Sequence, residues 1–180
     1  GGGTYESVVA FCTHEGREIV LENVQVTGGR TVGGAPGGIY IRDASPTIRN
    51  CLITGNSAPR GGGSGGGIGI FGGSPLITGC TVVGNYAENQ GGGIYAEGTS
   101  NLVITNCTIE ANRAGEGGGL RIGNSTNAQV TNCLIRNNVA SDGNGVTFWT
   151  STGQLVDCEV TNNRSNSQAT SISGGGVLDY

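Results

Sequence analysis

The chain of 180 residues contains no Met and no Lys, a single His and a single Trp, and its basic side chains are almost all Arg. Charged residues make up only 12%, and the formal net charge is −4. A nucleic-acid binder needs a basic face, and this balance argues against one. No stretch approaches the roughly 18 consecutive apolar residues of a membrane span. Without a Met, the chain reads as a mature, processed or excised segment from which any signal peptide has gone. Gly, by contrast, accounts for 37 residues, yet no Gly-X-Y period runs through them, which excludes collagen. Hydrophobic content is 35%, but Val, Ile and Leu recur at fixed intervals, as they do not in disordered tracts.

That recurrence is a repeat. Aligned on the glycine clusters, the chain reads IYIRDASPTIRNCLITGNSAPRGGGSGGG, IGIFGGSPLITGCTVVGNYAENQGGG, IYAEGTSNLVITNCTIEANRAGEGGG and LRIGNSTNAQVTNCLIRNNVASDGNG. A longer copy, VTFWTSTGQLVDCEVTNNRSNSQATSISGGG, follows, and a looser copy precedes them. Within each copy short runs alternate apolar and polar residues, which is the period of strands and not of helices. The first runs begin at Ile39, Ile68, Ile94, Leu120 and Val146. The second end on Leu21, Ile48, Ile77, Ile104, Val130 and Leu155. The third carry Val26, Ile53, Val82, Ile109, Ile135 and Val160. Three strands per copy, each stacked on its counterpart, predict an all-β, single-domain right-handed parallel β-helix of about six coils. Its divisions are an irregular first coil over 1–38, regular coils over 39–176 and the start of a further strand at 177–180, within one domain over 1–180.

Polar columns mark the corners. Asn50, Asn106 and Asn132, with Gly79 and Asp157 in register, fall between the second and third runs, where a tight corner selects residues that tolerate left-handed geometry. Asn56, Asn85, Asn112, Asn138 and Asn163 form a second column, whose amides are expected to hydrogen-bond along the rod. Small residues follow at Ala58, Ala87, Ala114 and Ala140.

The GGGIY…SP-x-I-x-NC-x-I-x-GN-x-A pattern resembles the right-handed parallel β-helix repeats of the pectin-lyase-like superfamily. It is similar above all to large secreted and surface-exposed bacterial β-helix proteins, including the polymorphic outer-membrane type. The resemblance covers nearly the whole chain and implies a fold. It implies no one activity, because the architecture hosts lyases, hydrolases, epimerases, adhesins and spacers alike.

Cys51, Cys80, Cys107, Cys133 and Cys158 occupy one inward column. Equivalent positions in successive coils lie about 4.8 Å apart, beyond the roughly 3.5–4.5 Å between Cβ atoms that a disulfide requires. A reduced, stacked core ladder is therefore expected, with no metal site, since the column holds neither His nor C-x-x-C. Cys12 stands outside it.

In enzymes of this architecture the cleft usually runs over the outward side of one strand face. Here the outward column of the first runs is Tyr40, Gly69, Tyr95, Arg121 and Thr147, followed by Arg42, Phe71, Glu97, Gly123 and Trp149. Tyr40, Arg42, Tyr95, Glu97, Arg121 and Trp149 are thus the candidate binding residues, although outer-face Tyr and Arg are also ordinary exposed strand formers. Glycoside hydrolysis needs two cooperating carboxylates, and Glu97 has no acidic neighbour on its face. Asp43, Asp142, Asp157 and Asp179 are scattered over different turns. His14 reads as a surface-loop residue. No catalytic cluster emerges, and no cofactor is called for.

The chain opens GGGTYESVV and closes GGGVLDY, with no amphipathic helix pattern at either end. A fragment of a longer β-helix would look like this, and so would a subunit whose bare last coil pairs with the first coil of the next copy. The favoured expectation is a non-enzymatic extracellular or cell-surface structural rod that self-associates head to tail. The alternative is a polysaccharide-binding or polysaccharide-cleaving domain using the Tyr40–Trp149 face.

Overall fold

The computed structural model describes residues 7–165 and the strand Val177–Asp179. Three long parallel sheets wrap one core, with the short pairs Ser57–Ala58 with Tyr86–Ala87 and Val139–Ala140 with Arg164–Ser165 beside them. The first stacks Val9–Phe11, Ile39–Arg42, Ile68–Phe71, Ile94–Glu97, Leu120–Gly123, Val146–Trp149 and Val177–Asp179 in that order. The second stacks Val20–Glu22, Thr47–Arg49, Leu76–Thr78, Val103–Thr105, Ala128–Thr131 and Gly153–Val156. The third stacks Gln25–Thr27, Leu52–Thr54, Thr81–Val83, Thr108–Glu110, Leu134–Arg136 and Glu159–Thr161. Each coil contributes one strand to each sheet, which makes a parallel β-helix of about six turns. The last part of the regular coils expected over 39–176, residues 166–176, lies outside the described residues, as does Tyr180.

Register follows the apolar columns. Ile39 pairs with Ile68, Ile68 with Ile94, Ile94 with Leu120 and Leu120 with Val146. In the third sheet Val26, Ile53, Val82, Ile109, Ile135 and Val160 stack the same way. Like side chains therefore pack on like along the axis, and Ile48, Ile77 and Ile104 are fully buried. Each such Ile contributes about 1.5–3 kcal/mol of burial free energy. A slip by one residue would turn every one of them to solvent.

Corner chemistry explains the polar columns. Asn50, Asn106, Asn132 and Asp157 have φ of 52–55°, and Gly79 has φ of 62°. The cysteines sit directly after these corners, one residue ahead of the third strands. Cys51, Cys80, Cys107 and Cys133 are buried, all are free thiols, and burial pushes the Cys51 and Cys158 thiols up. Each thiol has two backbone acceptors, as in Cys107, whose Sγ faces Thr105 O at 3.2 Å and Ile77 O at 3.7 Å.

The other Asn column lies inside the rod. The Asn112 Nδ2 donates to Val82 O (2.9 Å) and to Asn138 Oδ1 (3.1 Å), while its Oδ1 accepts from the Asn85 backbone N–H and from Asn85 Nδ2, both at 3.0 Å. Asn85 and Asn138 repeat this arrangement, and Asn56 begins the column with its Oδ1 accepting from the Gly29 N–H. The amides lie flat against the third glycine of each cluster. A Cβ at Gly93 would stand 2.9 Å from Asn112 Nδ2, and one at Gly119 would stand 2.8 Å from Asn138 Nδ2.

Asn112→Ala should therefore destabilise the chain by at least about 3 kcal/mol, because several buried groups, each costing about 1–3 kcal/mol when unmet, lose their partner together. Chemical denaturation of the variant beside wild type measures this. A loss below about 1 kcal/mol would show that the ladder does not hold the coils.

Candidate functional site

A cleft of about 480 Å³ opens over the first sheet, lined by Gln90, Tyr95, Glu97, Glu116, Arg121, Asp142, Thr147 and Trp149. Period-two alternation points Tyr95, Arg121 and Thr147 outward, so exposure is the simple expectation. The structure overturns it: they are only 8%, 4% and 5% exposed. The cause is the turn that precedes each first-sheet strand, which folds back over that strand. Gly91, Gly117 and Gly143 have φ of 62°, 58° and 54°, and a Cβ there would meet the side chains of Tyr95, Arg121 and Thr147 at 2.6, 2.6 and 1.7 Å. Only glycine supplies both that backbone conformation and that close approach.

Those turns deliver the residues just before the glycines into the cleft. Ser64, Gln90, Glu116 and Asp142 form a bridged column, one residue per coil. The structure thus sets Glu97 in one cleft with Glu116 and Asp142, and so gathers an Asp142 that the sequence places among scattered turns. The strand face has no second carboxylate; the turn beside it supplies two. Strand alternation does not single out Gln90 and Glu116, although their place directly before each glycine cluster is a signal in the repeat itself.

Arg121 organises the site. Its Nη1 lies 3.4 Å from Glu97 Oε2 and its Nε 3.4 Å from Glu116 Oε2. Its guanidinium carbon stands 5.5 Å from the Tyr95 ring centre and 5.1 Å from that of Trp149. Two carboxylates and two rings thus surround the cation, which makes a buried Arg tolerable, although its Nε makes no hydrogen bond. Glu97 also accepts from the Tyr95 hydroxyl at 3.1 Å and from the Asn124 side-chain amide. Asn124 in turn accepts from the Thr150 hydroxyl, so both ends of its amide are engaged. The Glu116 carboxylate accepts from Gln90 Nε2 at 2.9 Å. Asp142 has no side-chain partner among the described residues.

The other candidates stand apart. Tyr40 packs edge-on against Phe71 with ring centres 5.7 Å apart, and Phe71 leads to Tyr95 at 5.4 Å. This aromatic file extends from the cleft without lining it. Arg42 is exposed and faces Asp43 at 3.9 Å. Of the six candidates, Tyr95, Glu97, Arg121 and Trp149 converge, and Tyr40 and Arg42 do not.

The chain matches the family described as the right-handed β-helix region over residues 7–178. No curated protein and no solved structure matches it.

Burial, followed by the nearby Glu97 charge, pushes the Tyr95 phenol up to about 12. Because the phenol of the unfolded chain ionises near 10, folding stability should fall as pH climbs from 10 towards about 12. Ultraviolet titration should show one late-ionising tyrosine that Tyr95→Phe removes and Glu97→Gln shifts to lower pH. Ionisation of all tyrosines together near 10 in the folded chain would contradict the assignment.

Proposed function

The chain belongs to the right-handed β-helix family, whose architecture fixes no activity, and we propose from its cleft that it binds a glycan. The carrying observation is the composition of that cleft: the Trp149 indole, 42% exposed, stands beside fixed carboxylate and amide groups on a rigid sheet. Sugar rings offer an apolar face to an indole and hydroxyl donors to carboxylates. Gln90, Glu116 and Asp142 follow one another at single-coil intervals of about 4.8 Å, comparable to the length of one sugar unit. A polymer lying along the rod would present successive rings to successive coils. This reading sets the chain outside the cell or at its surface, where polymeric glycans lie.

A second reading is a structural rod that stacks end to end. It is supported by Val20 and Val24, which are 43% and 38% exposed in the first described coil, while Thr47 and Cys51 hold the same positions one coil on and are buried. A second copy laid on that coil would cover them. Sedimentation across a concentration series tests it: growth into long species supports stacking, and a monomer at the highest concentration ends it.

For the glycan reading, calorimetric titration with neutral, amine-bearing and acidic oligosaccharides should find at least one saturable ligand. Trp149→Ala should weaken that binding about tenfold or more, which is about 1.4 kcal/mol. Thr81→Ala, on the exposed side of the third sheet, should leave it unchanged. Absence of binding across the panel, or binding indifferent to Trp149, would overturn the proposal.

A further inference from the structure

Arg121 is the cation that an outer-face reading would offer to an acidic sugar, and the structure removes it from that role. Glu97 and Glu116 each lie 3.4 Å from its nitrogens, the Tyr95 and Trp149 rings stand 5.5 and 5.1 Å from its guanidinium carbon, and it is 4% exposed. A uronate approaching the cleft would find no accessible guanidinium. It would find carboxylates instead: Glu97, Glu116 and Asp142 line the same space, and Arg121 is the only cation among the described residues of the lining. Glu116 keeps 45% of its side chain exposed, and Asp142 is exposed with no side-chain partner among the described residues. Three carboxylates against one sequestered guanidinium leave the cleft with an excess of negative charge. A concave, one-signed lining concentrates that potential and selects the opposite charge.

Resting on the glycan-binding reading above, we infer that the cleft selects amine-bearing glycans, such as polymers of unacetylated amino sugars, over neutral and uronate ones. The ammonium groups would meet Glu116 and Asp142, which rise on adjacent coils at the rim, while the sugar ring lies against the open part of the Trp149 indole. The uncharged member of the same column that lines the cleft, Gln90, lies on the coil before them. The two exposed charges of the column are therefore concentrated at one end of the cleft, with the Gln90 amide beside them.

The test is calorimetric titration of the whole chain with three oligosaccharides of equal length: β-1,4-linked glucosamine, its fully N-acetylated counterpart and oligogalacturonate. It is run at a mildly acidic pH, where amines and carboxylates are both charged. The glucosamine oligomer should bind at least about tenfold more tightly than the acetylated one, with oligogalacturonate weakest. The preference should shrink as salt rises, since exposed charges are screened within about 8–10 Å at ordinary ionic strength. In the double variant Glu116→Gln, Asp142→Asn the ratio of the first two affinities should fall close to one. Equal affinities in the wild-type chain, a preference insensitive to salt, or a preference that survives in the folded double variant would each overturn the inference. Should glycans bind without regard to the amine, only this inference falls. Should none bind, the glycan reading falls with it.

Discussion

The packing of a buried amide against a bare backbone underlies everything else in this molecule. Asn56, Asn85, Asn112, Asn138 and Asn163 are almost fully enclosed, where an unmet amide would be costly. Stacking solves the problem, because each amide gives and receives along the axis and takes a carbonyl from the coil before it. The arrangement closes only if the chain opposite approaches without a side chain, and that is what the third residue of each glycine cluster provides. Asn and Gly columns are therefore two halves of one device. Ala111 shows how local the constraint is: it adopts φ of 53° directly before Asn112, a conformation costly for Ala that the ladder behind it enforces.

The same glycine clusters also shape the exterior. Their first members bring the turn down onto the outward column of the first sheet, converting a row of surface side chains into a partly roofed cleft. Tyr95, Glu97, Arg121 and Trp149 then stand on strands whose positions the core ladders fix, while Gln90, Glu116 and Asp142 reach in from turns bridged from coil to coil. Side chains held on such a scaffold need little ordering when a ligand arrives, which lowers the entropic cost of binding. Arg121 completes the arrangement as a buried cation between the Glu97 and Glu116 carboxylates.

Much of the fold was legible because every coil obeys the same local rules. Alternation placed Ile48, Ile77 and Ile104 inside, and the left-handed corners announced themselves as Asn50, Asn106, Asn132, Gly79 and Asp157. The site was legible only in part. Alternation separates inward from outward, but it is silent on whether a neighbouring turn covers an outward residue. Arg121 therefore looked like an exposed cation and proves to be a buried one. Glu97 looked solitary because its partners come from a different segment of each coil. Glu116 and Asp142 share a column with Ser64 and Gln90, and a column of changing residue type does not stand out as the Cys and Asn columns do. Tyr40 and Arg42 were grouped with the site by sharing its face, yet they lie on an earlier coil, beyond the cleft.

Trp149 is the sole tryptophan of the chain and forms one wall of the cleft, so its fluorescence isolates events there from the rest of the rod. The direct measurement of the central claim is the emission of that indole during titration with the tightest-binding oligosaccharide. A saturable change in intensity or wavelength, with a midpoint equal to the calorimetric Kd, is the predicted result. An emission spectrum unchanged at full calorimetric saturation would place the ligand elsewhere on the molecule and contradict the account.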